Sequence, residues 1–185
     1  MAHWTGATFL GWSLGFVLLL LFIAVAGMLG VGNAQFPLGL GMGTGVGALQ
    51  RRLVAERVQA PTAWWRASIL GVTAPFVAWD LAKLLRVPLP YALAGAVVLG
   101  GLTVGVLQAR VLRAHSSRSA EWIPASLLGW ALAAVMVAVN DFLPKIPGLF
   151  GALIYVAVVL VGGLLLGLTT GLALEHILKA PTPTV

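Results

Sequence analysis

The sequence predicts an all-α integral membrane protein, a six-helix bundle built from three tandem helical hairpins. Three observations support this prediction: the composition, a motif that occurs three times, and an uneven distribution of positive charge. The chain is 60% hydrophobic and 9% charged, whereas soluble domains are roughly 25% charged. With a mean hydropathy of +1.02, its polar residues are too few to cover a water-soluble globule. Lipid is therefore the expected solvent.

The helix boundaries follow from polar, glycine-rich and proline-containing breaks between apolar segments. No charged residue precedes Arg51, and a span needs only ~20 residues, so a break is expected at 30–37. The first apolar segment lacks the basic start of a signal peptide and is too long for one, so we expect a retained span. The predicted helices are about 7–29, 38–57, 62–85, 91–112, 122–139 and 148–178. Residues 113–121 are predicted to form a solvated loop, and 180–185 a short disordered tail.

A tryptophan-headed motif recurs at the start of each odd-numbered helix. It has the pattern Trp-x-x-Ala-Ser/Thr-x-Leu-Gly and begins at Trp4, Trp64 and Trp122. The even-numbered helices carry small residues spaced by four, followed by a polar residue. We align Gly41, Gly45 and Gln50 with Gly101, Gly105 and Gln108, and with Gly167, Gly171 and Glu175. This periodicity predicts one domain, 1–179, made of hairpin repeats at about 4–60, 61–118 and 119–179.

Glycines are predicted to mark helix-packing positions. Glycine costs ~1 kcal/mol relative to alanine in an exposed helix, so closely spaced glycines need a compensating role. In lipid, small residues spaced by four let two helix backbones approach closely. The predicted packing residues are Gly41, Gly45, Gly71, Gly101, Gly105, Gly129, Gly167 and Gly171.

Positive charge distinguishes the two ends of the predicted bundle. The segments at the ends of the even-numbered helices hold Arg51, Arg52, Arg57, Arg66, Arg110, Arg113, Arg118 and Lys179, whereas those after the odd-numbered helices hold Lys83, Arg86 and Lys145. The positive-inside rule then places both termini in the cytoplasm, with the chain in a bacterial inner membrane. Trp4, Trp64, Trp65 and Trp122 are expected at the cytoplasmic interface, in an aromatic belt.

Four polar residues within the predicted spans are candidates for binding a ligand or ion. If the hairpins surround a pseudo-threefold axis, Gln50, Gln108 and Glu175 converge as a polar ring; the alternative is that each amide bonds across a helix pair. Asp80 lies near the opposite surface. Intramembrane carboxylates are commonly proton or cation sites, and the alternative is an i, i+3 ion pair with Lys83.

Other functional classes find no support in the sequence. There is no cysteine, metalloprotease motif, nucleophile elbow or P-loop, so no catalytic or metal site is predicted and any cofactor is unknown. The net charge of +6 is explained by membrane topology rather than by nucleic-acid binding. The expected partners are the lipid bilayer and, as an alternative, other membrane subunits or a second copy of the chain.

The glycine-rich helix, the Gln-x-Arg that follows it and the tryptophan-headed helix start together resemble a loose group of uncharacterised bacterial multi-pass membrane proteins. Those proteins repeat Gly-x-x-x-Gly-x-x-Gln-Trp, and this chain lacks the tryptophan after Gln50 and Gln108. The resemblance implies architecture only. The leading functional hypothesis is a transporter or channel component for a small solute or ion. The first alternative is a non-catalytic accessory or assembly subunit, and the second is a membrane enzyme or cofactor binder.

Overall fold

A computed structural model describes residues 1–58, 60–88, 92–144 and 146–180 of the 185-residue chain. In these ranges the chain forms six α-helices and no β-strand. The helices are α1 (Ala2–Met28), α2 (Phe36–Val58), α3 (Pro61–Leu84), α4 (Leu93–Leu112), α5 (Trp122–Val139) and α6 (Gly148–Leu178). The predicted boundaries are correct to within a few residues, and α1 begins earlier than expected, so that Trp4 is helical. Tyr91, the predicted start of the fourth helix, and 181–185 of the predicted tail lie outside the described residues.

The segment predicted as a solvated loop, 113–121, is partly buried. Ser119–Glu121 forms a 3₁₀ turn, and Ser116 and Ser119 are both buried. The hydroxyl of Ser116 donates to the carbonyl of Ile177 at 2.7 Å, which ties this segment to the end of α6. Most of the segment is exposed, as expected of a solvated loop, and the two buried serines are accommodated because short hydroxyl side chains readily satisfy backbone groups.

The six helices form a closed ring. Each helix packs antiparallel against its neighbours in the chain, and α6 packs against α1. We call the end at which α1, α3 and α5 begin the terminal end, and the end at which α2, α4 and α6 begin the turn end. Two buried clusters are stacked inside the ring, one containing Trp4, Trp64 and Trp122 and the other containing Trp12 and Trp130.

Alternating glycines allow α2 to pack closely on both flanks. A Cβ at Gly45 would meet the backbone of α1, as would one at Gly41, whereas a Cβ at Gly43 or Gly47 would meet Ser68 of α3. The glycines therefore form two interleaved stripes, each with the four-residue spacing that brings helix backbones together. This two-sided packing explains why glycines recur at every second position.

The remaining predicted packing glycines also lie against neighbouring helices. Gly71 lies against Val104, Gly101 against Trp130, Gly105 against Ser126, Gly129 against Thr169, Gly167 against Thr5 and Gly171 against Trp4. These close approaches leave no room for a side chain at most of the helix crossings.

Five helices in the described ranges are long and apolar enough to cross a membrane: α1, α3, α4, α5 with its preceding 3₁₀ turn, and α6. They indicate a multi-pass membrane protein. The hydropathy of α2 is lower because glycine contributes little and because Arg51, Arg52, Glu56 and Arg57 occupy its last turns. The prediction of six spans is thus supported for five helices.

Candidate functional site

Three tryptophans meet inside the ring at its terminal end. The ring centroids of Trp4, Trp64 and Trp122 are separated by 5.8, 6.1 and 5.3 Å, in the edge-to-face arrangements that aromatic rings favour. Each is at most 5% exposed. The side chains of all three point into the ring and not towards lipid, so the predicted aromatic belt does not form at these positions. Trp65, by contrast, is partly exposed and carries Arg51 over its ring at 5.2 Å.

Each indole of this tryptophan triad donates a hydrogen bond to a polar side chain of an even-numbered helix. Trp64 Nε1 donates to Gln50 Oε1 at 3.2 Å, and Trp122 Nε1 donates to Gln108 Oε1 at 2.9 Å. Trp4 Nε1 donates to Thr170 Oγ1 at 3.0 Å. Buried indole N–H groups require such acceptors, so these side chains fix the orientations of the three rings.

The two glutamine amides extend the network to hydroxyl residues of the odd-numbered helices. Gln50 Nε2 donates to Thr8 Oγ1 at 3.0 Å, and Gln108 Nε2 donates to Ser68 Oγ at 2.9 Å. The corresponding hydroxyl of α5, Ser126, instead donates to the carbonyl of Gly101 at 3.0 Å. We call Thr8, Gln50, Ser68, Gln108, Ser126 and Thr170 the polar layer; all six are at most 3% exposed.

The structure brings Gln50 and Gln108 into one layer and places Glu175 elsewhere. Glu175 lies at the terminal-end surface, where its carboxylate pairs with the amino group of Met1. The third position of the layer belongs to Thr170, which the sequence analysis missed. The predicted ring therefore contains Thr170 in place of Glu175.

The glycine contacts explain why Glu175, and not Thr170, was aligned with Gln50 and Gln108 in the sequence. A Cβ at Gly47 would meet Ser68, one at Gly105 would meet Ser126, and one at Gly167 would meet Thr8. Each of these glycines precedes its polar-layer residue by three positions: Gly47 precedes Gln50, Gly105 precedes Gln108, and Gly167 precedes Thr170. This common three-residue spacing is the sequence signal that identifies Thr170 as the equivalent of Gln50 and Gln108. The predicted alignment overlooked this signal because it paired Gly45 with Gln50 and Gly171 with Glu175, at spacings of five and four residues.

A very small cavity lies beside the polar layer. Its volume, counted as room for the centre of a water-sized sphere, is about 10 Å³, and Gln50, Ser68, Gln108, Ser126 and Thr170 contribute to its lining. Such a space accommodates about one water molecule. Threonine is shorter than glutamine, so the side chain at Thr170 does not reach Ser126 as Gln108 reaches Ser68.

On the turn-end side of the polar layer, the ring contains a second aromatic pair and then an apolar chamber. The rings of Trp12 and Trp130 are 5.7 Å apart, and Trp12 Nε1 donates to the carbonyl of Val159 at 3.0 Å. Beyond them lies a chamber of about 190 Å³ whose lining residues are all hydrophobic. Every helix contributes to it, through Phe16, Leu38, Phe76, Val97, Val137 and Val159 among others. Ligand pockets are typically concave, largely apolar spaces of this kind.

Asp80 holds the beginning of α2 in place. Its carboxylate oxygens accept hydrogen bonds from the backbone N–H of Gln35 at 2.8 and 2.9 Å and from that of Phe36 at 2.8 Å. A carboxylate at a helix N-terminus satisfies otherwise unpaired donors and interacts favourably with the helix dipole. Lys83 Nζ lies 3.5 Å from the carbonyl oxygen of Asn33. The geometry thus gives Asp80 a structural role in joining α3 to α2.

The interior along the ring axis therefore consists of the tryptophan triad, the polar layer, the Trp12–Trp130 pair and the apolar chamber, in order from the terminal end. Among the described residues, no three histidine or acidic side chains are grouped so as to hold a metal ion. In comparisons with protein-family models, curated proteins and solved structures, no match to this chain is found.

Proposed function

We propose that this chain is a non-catalytic membrane protein that binds an apolar molecule in the chamber at the centre of its helix ring. The observation that carries the proposal is the chamber itself, which is lined entirely by hydrophobic residues from all six helices. Its inner limit is the Trp12–Trp130 pair. A hydrocarbon group entering it loses contact with water or a polar headgroup region and gains close-packed apolar neighbours.

The polar layer favours this role over transport. Gln50 and Gln108 each accept one hydrogen bond and donate another to neighbouring side chains, and the adjoining cavity has room for about one water molecule. A solute would have to pass the tryptophan triad as well. Binding without transport is the kind of role that an accessory subunit of a larger membrane complex performs.

The membrane arrangement belongs to the same proposal. We infer six spans, with α2 crossing between α1 and α3, and both termini in the cytoplasm of a bacterial inner membrane. The excess of arginine at the terminal end supports this orientation. Three tandem hairpins are supported by the three equivalent glycine–hydroxyl contacts and by the three tryptophan bonds to α2, α4 and α6.

Filling the chamber tests the proposed function. Val97 lines the chamber, whereas Leu99 of the same helix is 55% exposed on the outer surface of the ring. We expect Val97→Phe to reduce the amount of apolar small molecule that co-purifies in mild detergent by at least about tenfold, which corresponds to ~1.4 kcal/mol. Leu99→Phe adds the same aromatic ring on the outer surface and should leave the amount of co-purified molecule unchanged. Organic extraction and mass spectrometry of the two purified variants provide the measurement, and equal amounts in both would contradict the proposal.

A further inference from the structure

The chamber extends to the turn end of the ring. Of its lining residues, Leu38 is the third residue of α2, Leu93 is the first of α4, and Val137 is the third from the end of α5. From Trp130 to Val137 the α5 axis rises by about 10 Å. Leu93 is 38% exposed, so the lining continues to the surface where α2 and α4 begin.

A basic hollow lies one to two helical turns further out, between the end of α3 and the turn that joins α1 to α2. Asp80 follows the chamber residue Phe76 by four positions and Lys83 follows it by seven, or about 6 and 10 Å along the helix. The hollow has a volume of about 480 Å³ and is lined by Lys83, Arg86, Asn33 and Asp80 among others. The Asp80 carboxylate is occupied by the backbone N–H groups at the start of α2. The exposed side chains of Lys83 and Arg86 give the hollow its excess of positive charge.

Arg86 has a backbone conformation that favours glycine, so an arginine at this position suggests a role for its side chain. Arg86 has φ of 57°, in the left-handed region just after α3, and its N–H donates to the carbonyl of Lys83 at 3.2 Å. Glycine normally occupies such a position because it carries no Cβ penalty. A large cationic side chain instead lies beside Lys83, where it can contribute to binding an anion. Guanidinium and ammonium groups together are well suited to a phosphate.

We propose that the chamber ligand is an anionic phospholipid, with one hydrocarbon chain in the chamber and its phosphate at Lys83 and Arg86. This inference rests on the proposed function, because it names the chemical class of the molecule that the chamber binds. A phospholipid of this class matches both features. Its hydrocarbon chain suits a lining without polar residues, and its phosphate suits the cationic side chains that begin about two helical turns beyond Phe76.

Quenching of tryptophan fluorescence by brominated lipids tests the inference on the full chain in mixed micelles. Trp12 and Trp130 line the chamber, so the difference between the wild type and a Trp12→Phe/Trp130→Phe variant isolates their signal. We expect phosphatidylglycerol with dibrominated acyl chains to quench this signal at a roughly tenfold lower mole fraction than dibrominated phosphatidylcholine. Lys83→Gln/Arg86→Gln should abolish the difference between the two lipids, while Arg51→Gln/Arg52→Gln, an equal charge change at the terminal end, should preserve it.

The outcomes separate the two proposals. If both lipids quench the chamber tryptophans equally in the wild type, the phosphate site is wrong and the apolar chamber still binds a hydrocarbon chain. If both double-glutamine variants reduce the lipid preference to the same extent, the preference comes from the overall positive charge of the protein. The proposed phosphate site at Lys83 and Arg86 is then wrong. If neither lipid quenches the chamber signal, both the phospholipid inference and the proposed function fail.

Discussion

Replacing Gly45 with alanine is expected to lower the free energy of unfolding by about 1–3 kcal/mol, towards the upper end of that range. A Cβ at this position would lie 2.5 Å from the carbonyl oxygen of Gly11 and 2.5 Å from the Cα of Gly15. Both atoms belong to the backbone of α1, which cannot move aside as the tip of a flexible side chain can. The α1–α2 crossing must therefore widen, with loss of packing along both helices.

Gly27→Ala is the matched control for this change. Gly27 also lies within a helix, α1, but a Cβ there would meet nothing within 4 Å. Because alanine is favoured over glycine in an exposed helix, the free energy of unfolding should stay the same or rise by up to about 1 kcal/mol. Equilibrium unfolding in mixed micelles provides the comparison. Similar stabilities for the two variants would show that the glycines do not determine how closely the helices pack.

The second large effect is expected at Thr170, where valine and glutamine should behave differently. Valine has nearly the shape of threonine but removes the hydroxyl that accepts from Trp4 Nε1. A buried indole N–H without a partner costs about 1–3 kcal/mol, so Thr170→Val should lower the free energy of unfolding by that amount. Glutamine retains an acceptor for Trp4 and has the length to reach Ser126. It should therefore preserve stability, because the adjoining cavity offers it space.

The same unfolding measurement distinguishes packing from hydrogen bonding at this position. If Thr170→Val is as stable as the wild type, the bond from Trp4 contributes little. If Thr170→Gln is the less stable of the two variants, the position is not equivalent to Gln50 and Gln108. In that case the threefold pattern of the polar layer is coincidental.

The helices and their hairpin pairing were predictable because local properties determine them. Proline, glycine and amide clusters mark the turns, and long apolar segments between them are stable as helices in lipid. The packing role of glycine also follows from spacing alone. Which flank each glycine faces does not, because α2 carries two interleaved stripes and Gly41 and Gly43 serve different neighbours.

The interior of the ring was less predictable because it depends on closure between α6 and α1. A tryptophan at the start of a span fits an interfacial belt as well as a buried triad, and only the contacts among Trp4, Trp64 and Trp122 decide between them. Likewise, Asp80 gains its partners from the beginning of α2, 44–45 positions away. The apolar chamber requires all six helices and has no sequence signature of its own.

The central claim is that the interior of the ring is closed to water. Its most direct test is whether water reaches the middle of the ring. The chain contains no cysteine, so Val104→Cys and Arg113→Cys each introduce a single thiol. Val104 is 2% exposed beside the polar layer, whereas Arg113 is exposed at the terminal end. With a charged, membrane-impermeant thiol reagent applied to both faces of membrane vesicles, we expect complete labelling of Arg113→Cys and none of Val104→Cys. Labelling of Val104→Cys at a comparable rate would reveal a hydrated path along the axis and contradict a closed interior.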